Sequence, residues 1–130
     1  MCLLDRVTQW DGTTIVCTAS SHRALGNPLR ANGRLGAACG VEYAAQAMAV
    51  HGSLLAQTDG APRAGYLASV RSVELQVQRL DGVAADLTIT AERITGDANN
   101  ILYRFTVAAD GQTLLSGRAA VVLDATLLRS

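Results

Sequence analysis

The stretch Val41-Glu42-Tyr43-Ala44-Ala45-Gln46-Ala47-Met48-Ala49-Val50 decides the fold of this chain. Its residues are strong helix formers, and all of them except Glu42 and Gln46 are apolar. The pattern predicts a helix over residues 37–55 that is buried on most sides, with alanines that let a sheet approach closely. Asp59-Gly60-Ala61-Pro62 predicts the end of this segment.

The segments on both sides of the helix predict an antiparallel sheet. Before it, residues 3–7 predict a short extended strand, and residues 13–19, which are rich in β-branched side chains, predict a second. After it, four runs alternate apolar and polar residues. These runs are residues 72–78, 87–92, 101–107 and 114–123. Asp81-Gly82 and Asp110-Gly111 predict hairpin turns between them. The order predicts one α+β domain over residues 1–130, in which a curved antiparallel sheet wraps around a long central helix.

Composition excludes several classes of function. Eleven basic residues balance eleven acidic ones, so no overall field attracts nucleic acid. All basic residues are arginines, which excludes Schiff-base and P-loop lysine chemistry. Three cysteines and two histidines are too few and too scattered for a zinc site or a disulfide framework. We therefore expect a cytoplasmic protein with no metal, no nucleic acid and no membrane partner.

Two polar residues stand out in the helix. Glu42 and Gln46 are one turn apart and should project from the same stripe of an otherwise core-like helix. A carboxylate in an apolar setting is either paired or held in its protonated form, which is the form that a general acid needs. Alternatively, Glu42 is a first-turn carboxylate stabilised by the helix dipole. The residues alone leave both interpretations open.

Four motifs in order carry a resemblance to a known family. They are Leu3-Leu4-Asp5-Arg6-Val7, a loop with Asn27-Pro28-Leu29, Glu42-Tyr43-Ala44-Ala45-Gln46, and Gly65-Tyr66-Leu67-Ala68-Ser69-Val70. Over nearly its whole length the chain resembles the hot-dog (3R)-hydroxyacyl-acyl-carrier-protein dehydratases, in particular the branch found in aryl-polyene and related polyketide-like gene clusters. Relatives usually have a few more residues before the first motif, so we expect that this sequence begins late.

The resemblance implies a hot-dog domain that forms a homodimer or a higher even oligomer, with an acyl tunnel at the interface. It implies dehydration of 3-hydroxyacyl thioesters to trans-2-enoyl thioesters in fatty-acid or polyene-type biosynthesis. The substrate would be carried on the phosphopantetheine of an acyl carrier protein, which would be the partner. No other cofactor is implied.

The resemblance also implies roles for particular residues. Glu42 falls on the carboxylate that protonates the departing hydroxyl, and Gln46 on the glutamine one turn later. Backbone N–H groups at the helix start, from Ala37 through Cys39 to Gly40, would polarise the thioester carbonyl. Pro28 lies in the loop that would line the substrate site.

One position departs from the family pattern. Relatives have a histidine base on the loop, and Asn27 occupies that position here; a neutral amide cannot accept a proton near pH 7. Three explanations follow: His22 acts as the base, a second hot-dog subunit in a heterodimer supplies it, or the chain only binds acyl groups or supports a partner. A hot-dog thioesterase that uses Glu42 as nucleophile or base is a further alternative.

Two other groups carry weaker expectations. Arg30, Arg34, Arg63 and Arg71 would either form a rim for the phosphopantetheine phosphate and an acidic carrier protein or be ordinary solvated arginines. His51 is interpreted as a helix-end residue that is bonded to backbone carbonyls.

Overall fold

The computed structural model describes residues 3–59, 64–96 and 100–124. It contains one long helix and six strands, with 3₁₀ turns at Ser21–Arg23 and Ala37–Cys39. In chain order the elements are β1 (Arg6–Trp10), β2 (Thr14–Ala19), α1 (Gly40–Asp59), β3 (Ala64–Leu75), β4 (Leu87–Gly96), β5 (Asn100–Ala109) and β6 (Gln112–Asp124). The predicted order of two strands, a helix and four strands is confirmed.

The six strands form one antiparallel sheet in the order β1-β2-β4-β5-β6-β3. The pairs β1–β2, β4–β5 and β5–β6 are hairpins. The connection through α1 carries the chain to the far edge, where β3 pairs with β6 and not with β4, so the hairpin turn predicted at Asp81-Gly82 is wrong. The turn between β1 and β2 is fixed by the Asp11 carboxylate, which accepts the N–H groups of Thr13 and Thr14. These hydrogen bonds lower the pKa of Asp11. The curved sheet packed against α1 is the predicted α+β architecture.

Alternation along β5 builds the centre of the core. Ile101, Tyr103, Phe105 and Val107 are buried, and the residues between them point to the opposite face. β3 departs from the prediction, because Val73 and Leu75 are 39% and 48% exposed. The register shifts by a bulge after residue 71, where the backbone takes a left-handed conformation. Among the described strands, β3 is at the edge of the sheet and pairs only with β6.

The helix buries one face against the sheet. The buried residues are Gly40, Tyr43, Ala44, Ala47, Met48 and His51, whereas Glu42, Ala49 and Ser53 on the other side are exposed. The prediction that α1 is buried on most sides is therefore wrong for the single chain, because the sheet covers only one face. The helix ends at Asp59, and the predicted Gly-Ala-Pro terminator at 60–62 lies outside the described residues. No helix in the described ranges is long and apolar enough to cross a membrane.

The start of α1 lies very close to β6. A β-carbon at Gly40 would be 2.6 Å from Cδ2 and 2.9 Å from Cδ1 of Leu115, whose side chain is fully buried. Because the core around Leu115 is closely packed, its side chain has little room to move away. The glycine therefore allows the first turn of the helix to approach the sheet.

We predict that Gly40→Ala lowers the free energy of unfolding by about 1–3 kcal/mol through overpacking. Gly52→Ala is the matched control, because nothing lies within 4 Å of its β-carbon position. The same substitution there should stabilise the helix by roughly 0.5–1 kcal/mol. Urea unfolding of both variants measures the difference, and a stabilised Gly40→Ala would contradict the close approach.

Candidate functional site

The connection between β2 and α1, residues 20–36, packs against the start of the helix. It contains the 3₁₀ turn Ser21–Arg23 and a backbone bridge between Ala31 and Arg34. Two of its polar side chains, His22 and Asn27, are buried. These are the two loop residues that the sequence singled out, and the structure shows what each one binds.

Asn27 uses its side-chain amide to hold the loop in place. Its Nδ2 donates to the carbonyl of Ser21 at 2.9 Å and to the hydroxyl of Tyr43 at 3.1 Å. Its Oδ1 accepts the N–H of Leu29 at 2.9 Å across an exposed Pro28, which forms an Asx turn. Asn27 is only 4% exposed. The residue in the position of the family's base is therefore a structural anchor with a fully occupied amide.

A series of hydrogen bonds with fixed donor direction runs from Asn27 through Tyr43 and Ser21 to Leu3. The Ser21 hydroxyl donates to the carbonyl of Leu3 at 2.8 Å, so the Tyr43 hydroxyl, 2.7 Å away, donates to Ser21 and accepts from Asn27. The N–H of Leu3 in turn donates to Oε1 of Gln46 at 2.7 Å. Three segments distant in sequence meet here. Sequence reasoning missed Ser21, Tyr43 and this role of Gln46, because periodicity carries no information on such contacts.

His22 is fully buried against the segment between β3 and β4. Its Nε2 donates to the carbonyl of Val83 at 2.9 Å, which fixes the tautomer, and its Nδ1 has no hydrogen-bond partner among the described residues. Burial lowers the pKa of His22, and the nearby Arg23 guanidinium lowers it further. The ring is therefore neutral near pH 7 and points its only donor away from solvent.

Glu42 lies in the first turn of α1 and is exposed in the single chain. The expectation that it lies in an apolar setting is wrong within one chain, because it falls on the helix face that the sheet leaves uncovered. Within the described residues, no hydrogen bond or ion pair holds its carboxylate, and none joins it to His22 or Asn27. The carboxylate is therefore free to contact a ligand or a second subunit.

Most backbone N–H groups at the helix start already donate to acceptors within the chain. The N–H of Ala37 donates to Gln78, that of Cys39 to Gly36, and that of Gly40 to the carbonyls of residues 37 and 38. Three of the four amides expected to bind the thioester carbonyl are therefore already hydrogen-bonded within the chain. Ala38 is exposed, and its N–H has no acceptor in the described part of the chain, so it is the donor left for a ligand in this turn.

The remaining candidates do not assemble around Glu42. Arg30 donates to three carbonyls of its own loop, those of Ala24, Gly33 and His22, which excludes it from a phosphate-binding rim. Arg71 is on the distant edge strand β3, and Arg63 lies outside the described residues. Arg34 is exposed and has no ion pair with another described residue, so it alone of the three described arginines stays a candidate for the predicted rim.

His51 is in the interior of α1, not at its end. Its Nε2 donates to the carbonyl of Asp11 at 2.8 Å, and its Nδ1 accepts from the Tyr103 hydroxyl at 2.7 Å. The predicted carbonyl partner is confirmed, but it belongs to the β1–β2 turn. Burial raises the pKa of Tyr103 to about 12. This buried pair joins helix, sheet and turn and has a structural role.

The family follows from a comparison with known proteins. The ApeP-like family model, described as ApeP dehydratase, matches residues 1–127. The chain belongs to this family. The dehydratase resemblance and the hot-dog fold predicted from the four motifs are confirmed. Comparison with curated proteins finds no match.

Solved structures share the fold at low sequence identity. The dehydratase heterocomplex ApeI:P from Xenorhabdus doucetiae has a TM-score of 0.82 at 20% identity, covering 98% of this chain and 88% of that chain. A mutant thioesterase from Pseudomonas aeruginosa has a TM-score of 0.67 at 14% identity, covering 91% and 79%. A thioesterase from Haemophilus influenzae has a TM-score of 0.66 at 12% identity, covering 93% and 78%. At these identities the similarity establishes the fold only.

We predict that Asn27 and Tyr43 are energetically coupled. Asn27→Ala and Tyr43→Phe should each cost about 1–3 kcal/mol, because each breaks the same buried hydrogen-bond chain. The double variant should cost less than the sum, by about 0.5–3 kcal/mol in a double-mutant cycle of urea unfolding. Thr8→Ala removes an exposed side-chain hydrogen bond and serves as the control, with a change within about 0.5 kcal/mol. Additive losses of unfolding free energy would show that the hydrogen bonds of Asn27 and Tyr43 are not coupled.

We predict that His22 makes the folded chain sensitive to mild acid. Folding lowers the pKa of His22 below its ordinary value of 6.5. Below pH 6.5 the unfolded state therefore binds more protons than the folded state. Stability should therefore be fully present above that pH and fall as the pH drops below it. Urea unfolding at pH 7.5 and 5.5 measures the loss, and His22→Gln should reduce it. An unchanged pH dependence in the variant would exclude His22 as the source.

Proposed function

We propose that this chain dehydrates 3-hydroxyacyl thioesters on an acyl carrier protein to trans-2-enoyl thioesters, in a composite site with a second hot-dog subunit. Glu42 is the general acid, and the second subunit supplies the base. The single observation that carries this proposal is the contrast between an exposed, unpaired Glu42 and two loop residues whose polar groups face inward. Membership of the ApeP-like dehydratase family supports the reaction class.

The loop of this chain offers no base in the arrangement described. Asn27 cannot accept a proton, and its amide is fully bonded. His22 would have to break its bond to Val83 and rotate out of the core to reach a substrate. A base from another subunit requires neither change. The ApeI:P structure, itself a dehydratase heterocomplex, supports a second hot-dog subunit as the partner.

The uncovered face of α1 supports the same arrangement. Glu42, Ala49 and Ser53 lie on that face, and partly buried Val41 and Ala45 flank it on one side. Small and apolar residues around a single carboxylate suit a site that becomes dry when a second subunit covers it. An acyl chain would then lie along the helix with its reactive end beside Glu42.

The proposed reaction needs three groups. The partner's base removes a proton from C2 of the 3-hydroxyacyl thioester, and the electron pair forms the C2–C3 double bond as the C3–oxygen bond breaks. The Glu42 carboxylic acid gives its proton to the departing hydroxyl, which leaves as water. The N–H of Ala38 donates to the thioester carbonyl, where negative charge develops. The proton on the base returns to Glu42 through solvent.

A thioesterase is the second candidate function. The two thioesterase structures support it, because the same fold also carries hydrolysis. In that reaction Glu42 would activate water or attack the thioester carbon, and the product would be a free thiol without a double bond. Measuring enoyl absorbance and free thiol in the same sample separates the two reactions.

We predict that Glu42→Gln slows enoyl formation at least about 100-fold, because the amide cannot donate the required proton. The assay contains the chain, the hot-dog protein that copurifies with it, and a 3-hydroxyacyl carrier protein. Asp110→Asn is the matched control, since it makes the same change of carboxylate to amide in the distant β5–β6 turn. Asparagine tolerates the left-handed backbone there, where φ is 52°. The control should keep the full rate.

His22→Gln separates the three explanations for the missing base. It should leave the rate of the reconstituted pair unchanged if the partner supplies the base, and abolish it if His22 does. An unchanged rate in Glu42→Gln would overturn the assignment of the acid. Thiol release without enoyl formation would favour the thioesterase, and a folded pair inert in both assays would leave acyl binding as the function.

A further inference from the structure

Three arginines form a row on the sheet face opposite α1. The strand register pairs Arg71 on β3 with Arg118 on β6, and Arg118 with Arg104 on β5. Directly paired residues of antiparallel strands project from the same face. All three side chains are exposed, whereas Tyr103 and Phe105, the neighbours of Arg104, are buried on the helix side. We call Arg71, Arg104 and Arg118 the arginine row.

The charges of the arginine row are poorly compensated. Like charges directly opposite each other across strands repel, and this happens twice in the row. Only Arg104 has an acidic partner: its guanidinium lies 3.5 Å from Glu92 on β4, and both side chains are 52% exposed. In the described part of the chain, neither Arg71 nor Arg118 has an ion pair or a side-chain hydrogen bond. Three arginines against two neighbouring carboxylates, Glu92 and Glu74, leave a net positive charge around the row.

We propose that the arginine row docks an acidic α-helix of a partner protein. Neighbouring strands are about 4.8 Å apart, so three arginines on consecutive strands span about 10 Å. Carboxylates at positions i, i+4 and i+7 of a helix span about 10.5 Å along its axis. A helix laid across β3, β6 and β5 thus places one carboxylate against each guanidinium, and each pair forms charge-assisted hydrogen bonds.

Acidic groups around the row favour this occupant over a nucleic acid. Glu92 ends the row on β4, and Glu74, paired with Ser116, lies diagonally beside Arg118. These carboxylates would repel a phosphate backbone that continues past the row, whereas three carboxylates on two turns of a helix extend no further than the three arginines. The row is also separated by the sheet from Glu42, so docking there does not depend on the proposed dehydration.

The test uses the full chain, labelled with ¹⁵N, and two synthetic peptides of identical composition. One is an alanine-rich helical peptide with Glu at positions i, i+4 and i+7; the other spreads the three Glu residues around the helix. We expect NMR shift changes from the first peptide centred on residues 104 and 118, and at least fivefold weaker binding of the second. Affinity should fall as salt rises, because exposed charges are screened.

Two double variants with the same change in charge identify the site. Arg104→Ala/Arg118→Ala should weaken binding of the first peptide at least fivefold without lowering the thermal midpoint, because it removes like-charge repulsion. Arg6→Ala/Arg34→Ala, at exposed positions away from the row, should bind as the parent chain does. Arg71 is left unchanged because it is on the edge strand, where a second subunit could pair.

Several outcomes would overturn the proposal. These are equal binding of the two peptides, equal losses in the two double variants, or shift changes that do not include residues 104 and 118. A single-stranded DNA oligonucleotide that binds the row more tightly than the first peptide would assign the surface to nucleic acid instead. None of these results bears on Glu42, whose role is measured by enoyl formation.

Discussion

The buried hydroxyl of Tyr43 is the contact on which the site depends. It accepts from Asn27 and donates to Ser21, which holds the carbonyl of Leu3. The N-terminal segment, the 20–36 connection and α1 are thereby fixed to one another at the residue next to Glu42. Such a series of buried hydrogen bonds stabilises the fold only when every polar group in it has a partner, because an unpaired polar group in the core lowers the free energy of unfolding. One hydroxyl therefore positions three segments.

This contact also explains how the chain departs from its family's pattern. The amide of Asn27 supplies two donors and one acceptor to the loop, and a residue used in this way has no free atom for catalysis. His22 is likewise turned toward Val83. The polar groups of the loop stabilise the fold, while Glu42 and the N–H of Ala38 remain available at the helix start. The proposed division of the site between two subunits follows from this separation.

Much of the fold was predictable from local pattern. Alternation fixed which side of β5 is buried, and Asp110-Gly111 fixed the β5–β6 hairpin. Asp81-Gly82 did not predict a pairing, because β3 and β4 lie apart in the sheet. The register of β3 was not predictable, because a bulge near Ser72 and the missing neighbour at the sheet edge leave Val73 and Leu75 exposed. The one-sided burial of α1 was also missed, since apolar composition does not reveal how many elements cover a helix.

The sequence by itself determined the family, the order of the elements and Glu42 as the candidate acid, because motif spacing and periodicity are local properties of the chain. Only the tertiary structure decided what Asn27 and His22 do, because their partners Tyr43 and Val83 are 16 and 61 residues away. It also decided that three arginines share one row, since that depends on strand register. Contacts between distant residues are set by folding.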